Sequence, residues 1–225
     1  MTSRNWVRLF LTTLAIGGIT TVIVGFIVRW QEFLPYFTGM KFLDLLSVAL
    51  WLMGMGFLFS TVSQMGFFAY LMVHRFGLGI FRSFSLWNGV QVVLLLFALF
   101  DFVYLRYINF AKAGDSLVPY IGIAVFLLAV GIVVAWIKAK ETNKSAFIPA
   151  LFFMVFATIV EWVPVLKTND QSWFYLMLFA LLACNSYQIL ILHKLNARSA
   201  QQRQNLPKKK QKKPADNQAG RKPSV

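Results

Sequence analysis

Charge is scarce in this sequence. Asp, Glu, Lys and Arg together make up 13% of its 225 residues, against 58% hydrophobic residues, which is too little polar surface to wrap a water-soluble core of this size. A soluble enzyme or a soluble binding module is thereby excluded. Cysteine occurs once, as Cys184 inside an apolar run, so neither an internal disulfide nor a multi-cysteine metal site can be built. Cys184 reads as a small buried apolar residue. Histidine is confined to His74 and His193; neither sits in an HExxH or clustered spacing, so a membrane metalloprotease has no ligand set. A GxSxG nucleophile turn and a phosphate-binding P-loop are also missing, and Gly77 and Gly79 do not complete a dinucleotide fingerprint. No catalytic residue, cofactor or metal is expected, and the chain is not expected to be an enzyme. Strand-like alternation is absent, which argues against a barrel.

What the sequence does contain is uncharged runs of about twenty residues, the length a helix needs to cross ~30 Å of hydrocarbon at ~1.5 Å per residue. The predicted fold class is all-α, a polytopic membrane bundle of about six transmembrane helices over 9–28, 45–68, 84–105, 119–137, 147–166 and 173–192. A basic tail over 193–225 is expected to be disordered. Trp6 and Trp30 bracket the first run as interfacial anchors, and Gly17, Thr21 and Gly25 make a small-residue stripe that would let another helix approach closely. The second run stays uncharged from Leu45 to Val73, longer than one crossing requires, so tilt or an end lying along the interface is expected. Pro164 in the fifth run predicts a kink there.

Lys and Arg are distributed unevenly. With the N-terminus inside, 17 of the 22 fall on the cytoplasmic side, ten of them after Leu192. Positive charge marks the cytoplasmic face, so both termini are predicted to be inside. Lys208, Lys209, Lys210, Lys212 and Lys213 form a cluster between Pro207 and Pro214, close enough to reach an anionic inner leaflet. Specific nucleic-acid binding is not expected, because no binding fold accompanies the charge.

The stretch Ser63 to Gln91 concentrates polar residues in an otherwise apolar chain. His74 and Arg75 mark water after the second run, Gly77 and Gly79 allow a turn, and Arg82 opens the third run. Gln64 lies before this turn, with Asn88 and Gln91 after it. Together with Asn185 and Gln188 these amides predict interhelical bonds pinning the second, third and sixth helices. On the opposite side Asp44, Asp101 and Glu161 fall near Arg29 and Arg106, so an acid-base cluster is geometrically open. Glu161 is the deepest of them, and a carboxyl in lipid costs several kcal/mol unless paired or protonated. It admits two readings, an acid reaching the outer headgroups or part of an ion or proton pathway.

The segments SRNWVRLF at Ser3 to Phe10 and SQMGFFAYLMVHRFGLGIFRS at Ser63 to Ser83 resemble the KbaA family of spore-forming bacilli, activators of the KinB signalling pathway. The resemblance runs from the start through the sixth helix. It implies a polytopic cell-membrane protein that promotes sporulation by acting on, or upstream of, the membrane sensor histidine kinase KinB, which feeds the Spo0A phosphorelay. It also implies a partner, the kinase or its accessory protein. No catalytic residues come with the family. The expected contact is the loop His74 to Ser83 supported by Gln64, Asn88 and Gln91, biasing the kinase towards its active state. The competing expectation is a small transporter or ligand sensor using Glu161, Asp44 and Asp101, and an unidentified membrane enzyme is a third.

Overall fold

In the computed structural model, residues 2–111, 116–166 and 170–204 are described, and among them there is no strand. The helices are α1 (Ser3–Val28), α2 (Trp30–Thr38), α3 (Phe42–Phe81), α4 (Phe84–Phe110), α5 (Val118–Glu141), α6 (Phe147–Phe152), α7 (Thr158–Leu166) and α8 (Gln171–Gln204). A π turn over Phe153–Ala157 joins α6 to α7 into one rod. Among the described residues six helices are long and apolar enough to cross a membrane, α6 to α7 counting as one. The Lys208 to Lys213 cluster lies outside the described residues.

α1 packs against α3 and α8 around Gly17, where an added Cβ would meet Gly56, Ser60 and Cys184. Gly17, Thr21 and Gly25 are buried along α1, as the stripe predicts, and α3 lies against them. A Cβ added at Gly56 of α3 would sit 2.5 Å from the Gly17 carbonyl oxygen and 2.7 Å from Gly18 Cα, so the two backbones touch. That approach is open only to glycine. The hydroxyl of Thr21 donates to the Gly17 carbonyl of its own helix at 2.8 Å and costs the interface no unsatisfied group.

Contacts between helices identify which ends lie together. Asn5 donates to Ser199 at 2.7 Å, Trp6 packs on Phe68 at 5.0 Å, and Lys138 lies 3.2 Å from His193. The N-terminus, the α5–α6 corner and the second half of α8 therefore share one end. At the other end Arg29 pairs with Asp170 at 3.8 Å, and Trp51 meets Trp173 edge to face.

The structure corrects two expectations. The segment from His193 is not disordered at its start, because α8 continues to Gln204. Leu195 and Ser199 are buried against α1, and the Ala, Leu, Gln and Arg along this stretch are good helix formers. The turn is not at Gly77 and Gly79 either: α3 runs through both, and the chain reverses at Arg82, which takes the left-handed conformation at φ 50. Ser83 then caps α4, accepting from the Leu86 amide at 3.4 Å. The rod formed by α6 and α7 has its π turn at Phe153–Ala157, and its backbone stays helical through Pro164.

Candidate functional site

Five polar side chains from three helices meet inside the bundle. Asn185 of α8 donates to Glu161 Oε2 at 2.8 Å and to Thr158 Oγ1 at 2.9 Å, both on α7. Its own Oδ1 accepts from Ser63 of α3 at 2.7 Å. Gln188, one turn along α8, donates to the Ser63 oxygen at 2.8 Å. All five are buried, Glu161 being 6% exposed and the others 0%. Apolar surroundings leave these groups no water to turn to, so the network ties α3, α7 and α8 in one register.

Local chain geometry makes this possible at two points. A Cβ at Gly66 would lie 1.8 Å from Glu161 Oε1, so the carboxyl group rests directly on the α3 backbone where a side chain is missing. The π turn adds a residue to one turn of the rod, which rotates α7 by about 100° relative to a regular helix. Thr158 and Glu161 come just after that turn and face α3 and α8. Tyr70 of α3 braces the start of the same rod, its hydroxyl donating to the Pro149 carbonyl at 3.0 Å.

Glu161 Oε1 has no hydrogen-bond partner among the described residues. Beside it, an apolar cavity of about 120 Å³ opens between α3 and the rod, with Gly66, Tyr70, Phe156 and Val160 in its walls. Glu161 is itself one of the residues that line this space, and its Oε1 is buried.

A second polar group holds the α3–α4 hairpin. The Trp87 indole donates to His74 Nδ1 at 3.0 Å, and Gln91 Nε2 lies 3.5 Å from the same nitrogen. Gly77 is required because a Cβ there would meet the Trp87 ring at 2.5 Å. Gly79 has nothing within 4 Å. Arg75 and Arg82 are exposed at the tip, with Phe76 and Ile80 at 67% and 75% exposure between them.

The predicted site residues are thus regrouped. Gln64 donates only to Ser60 of its own helix, at 3.2 Å, and the Asn88 carbonyl has no partner among the described residues, so neither pins helices together. Of the five amides, Asn185 and Gln188 join one network and Gln91 the other. The two networks are separated along α3 by the eleven residues from Ser63 to His74, roughly 16 Å. Asp44 does not join Glu161. Asp44 is exposed at the start of α3, about 33 Å along that helix from the Gly66 on which Glu161 rests, and Arg29 pairs with Glu32 and Asp170 instead. Asp101 sits on α4 next to Phe102, which stacks on Trp162, and no group of acids, histidines and cysteines fit for a metal occurs among the described residues. Sequence reasoning misses Ser63, Gly66 and Thr158. Thr158 and Glu161 have the same i, i+3 spacing as Asn185 and Gln188, which is the available signal that two helix faces match.

Residues 17–195 match the family KbaA, described as KinB-signalling pathway activation in sporulation. A "KinB-signaling pathway activation protein" of Bacillus subtilis (strain 168) is 46% identical over 198 residues, covering 88% of this chain and 100% of that relative. No solved structure matches.

Proposed function

This chain belongs to the KbaA family, and from that premise we propose that it is a multi-pass cell-membrane protein that promotes sporulation by activating the KinB kinase pathway through protein contacts. The family is named for pathway activation and not for a reaction, and a regulator of this kind needs a rigid face more than a reactive centre. The face that fits best is the tip of the α3–α4 hairpin, because of the length of α3. Forty residues make a rod of about 60 Å, twice the ~30 Å of hydrocarbon. Trp6, an interfacial type of residue, packs on Phe68, and beyond Phe68 the helix runs on for about 20 Å to its end. Those last turns carry Arg75 and Arg82 out of the apolar slab, held stiff by Gly77, Trp87 and His74.

In this reading the tip docks on the kinase or its accessory protein and favours the kinase-competent state, which demands a difference in affinity between the two kinase states. Both termini are cytoplasmic, and the Lys208 to Lys213 cluster touches anionic lipid. Crosslinking from positions 75 to 82 in sporulating cells, with mass spectrometry of the captured protein, tests contact. Capture of a histidine kinase or its companion is the expected result. The Arg75 and Arg82 double substitution should lower signalling at unchanged protein level, and normal signalling would remove the tip from the mechanism.

The unpartnered Oε1 of Glu161 beside a cavity favours a second reading, a ligand sensor without Asp44 or Asp101. Glu161→Gln keeps an oxygen for Asn185 to donate to. A docking protein tolerates it; a sensor that reads this acid loses its response.

A further inference from the structure

At the corner between α5 and α6 the chain makes an open groove of about 680 Å³, lined by Trp136, Ala139, Lys140, Asn143, Lys144 and Phe147. That volume lies in the ~300–1,000 Å³ range of small-molecule sites. We propose that Trp136, Lys140, Asn143 and Lys144 bind the headgroup of an anionic phospholipid. The inference rests on the membrane reading of the helices, but on neither the kinase nor the tail.

Charge at this corner is unbalanced in a specific way. Glu141 is the adjacent acid, and it is taken by His193 and Lys194, each at 3.6 Å. Lys138 turns inward to His193 and is 7% exposed. Lys140 and Lys144 are exposed and have no acidic partner among the described residues, so two ammonium groups face the groove uncompensated. Lys140 is held over the Trp136 ring at 5.2 Å, a cation–π contact that fixes its charge beside an interfacial aromatic. The Asn143 carbonyl oxygen accepts from the Ala146 amide at 3.0 Å and from the Ser145 hydroxyl, which leaves its amide N–H groups to donate. Donors on one side therefore suit a phosphodiester.

The other side of the groove is apolar. Trp136 is 58% exposed, and Ile132 and Val133, one turn further into the slab on the same helix, are 43% and 55% exposed. This strip leads from the two lysines along the outside of α5, the path an acyl chain takes from its headgroup. A free phosphate would use the lysines and ignore the strip. Basic pockets at the cytoplasmic ends of membrane helices suit anionic headgroups, and here the Trp and the strip choose a lipid over a soluble anion.

The test uses the full chain in vesicles of phosphatidylethanolamine and phosphatidylglycerol containing a trace of photoreactive lipid, with labelled peptides mapped by mass spectrometry. A diazirine near the phosphatidylglycerol headgroup should label 136–147 several-fold more than the same diazirine on phosphatidylcholine. Lys140→Gln with Lys144→Gln, both on the surface and harmless to folding, should cut the phosphatidylglycerol signal about fivefold for each ammonium removed and leave the phosphatidylcholine signal unchanged. Equal labelling by both lipids, an unchanged signal in the double variant, or displacement by glycerol phosphate alone would each overturn the proposal. A diazirine deep in the acyl chain separates the two failures: helix labelling without corner labelling defeats only the lipid site, and no helix labelling defeats the membrane reading as well.

Discussion

Asn185→Leu is the most informative single change, because the side chain is nearly isosteric and every bond it loses is known. Wild-type Asn185 makes three interhelical bonds, to Ser63, Thr158 and Glu161. At ~0.6 kcal/mol for an average interhelical bond in a membrane protein, their direct loss amounts to about 2 kcal/mol. The carboxyl group left behind adds to that loss. Glu161 Oε1 has no partner among the described residues already, so losing the bond to Oε2 strands the whole buried group, a further ~1–3 kcal/mol. Reversible unfolding in mixed micelles, followed by tryptophan fluorescence, reads the change; Trp162 stacks on Phe102 and packs at a tilt on Phe174 one residue from Glu161 and serves as a reporter. A loss of about 3–5 kcal/mol is expected. The double variant Asn185→Leu with Glu161→Leu removes the stranded group and should recover ~1–3 kcal/mol of it. A single-variant loss below about 0.5 kcal/mol, or strict additivity in the double variant, refutes the claim that this network holds α3, α7 and α8 together.

Close approaches and one strained residue give three further expected outcomes. Gly56→Ala forces a methyl into the Gly17 carbonyl and the Gly18 backbone, neither of which can swing aside, and should cost about 1–3 kcal/mol in the same unfolding assay, whereas Gly54→Ala, with nothing within 4 Å, should be neutral or gain up to ~1 kcal/mol of helix propensity. Gly77→Ala should push the Trp87 ring off His74 and lower signalling, measured with a sporulation reporter at matched protein level, while Gly79→Ala, in open space, should leave it unchanged. Arg82→Gly relieves the left-handed strain at φ 50 and should raise stability by ~1–2 kcal/mol while reducing signalling, two effects in opposite directions that a purely structural role for Arg82 does not produce.

Depth is the property hardest to read from the chain. Counting along the runs puts Glu161 near one face and Asn185 near the other, yet the two side chains are hydrogen-bonded at 2.8 Å. α8 runs on to Gln204, so Asn185 lies near the middle of that helix, at the level of Glu161. The π turn over Phe153–Ala157 sets which way Glu161 faces, and no composition or spacing signal announces a single extra residue in an apolar helix. Gly77 is ambiguous for a related reason. Glycine serves both as a turn residue and as a gap for a neighbouring ring, and only the position of Trp87 on the returning helix distinguishes the two uses. Arg82 takes the turn because the hairpin has to close there, against its own backbone preference.

The sequence by itself determined the all-helical class and six runs long and apolar enough to cross a membrane. Twenty-residue uncharged runs can be satisfied in few ways other than as helices in an apolar medium, and the Gly17, Thr21 and Gly25 stripe marks the face where backbones meet, because both signals are local and periodic. Tertiary structure alone decided which polar groups share a site. Ser63 and Gly66 on α3, Glu161 on α7 and Asn185 on α8 come from three helices far apart in sequence, and their meeting depends on helix register, tilt and one π turn, quantities fixed by packing between helices and not by any segment alone.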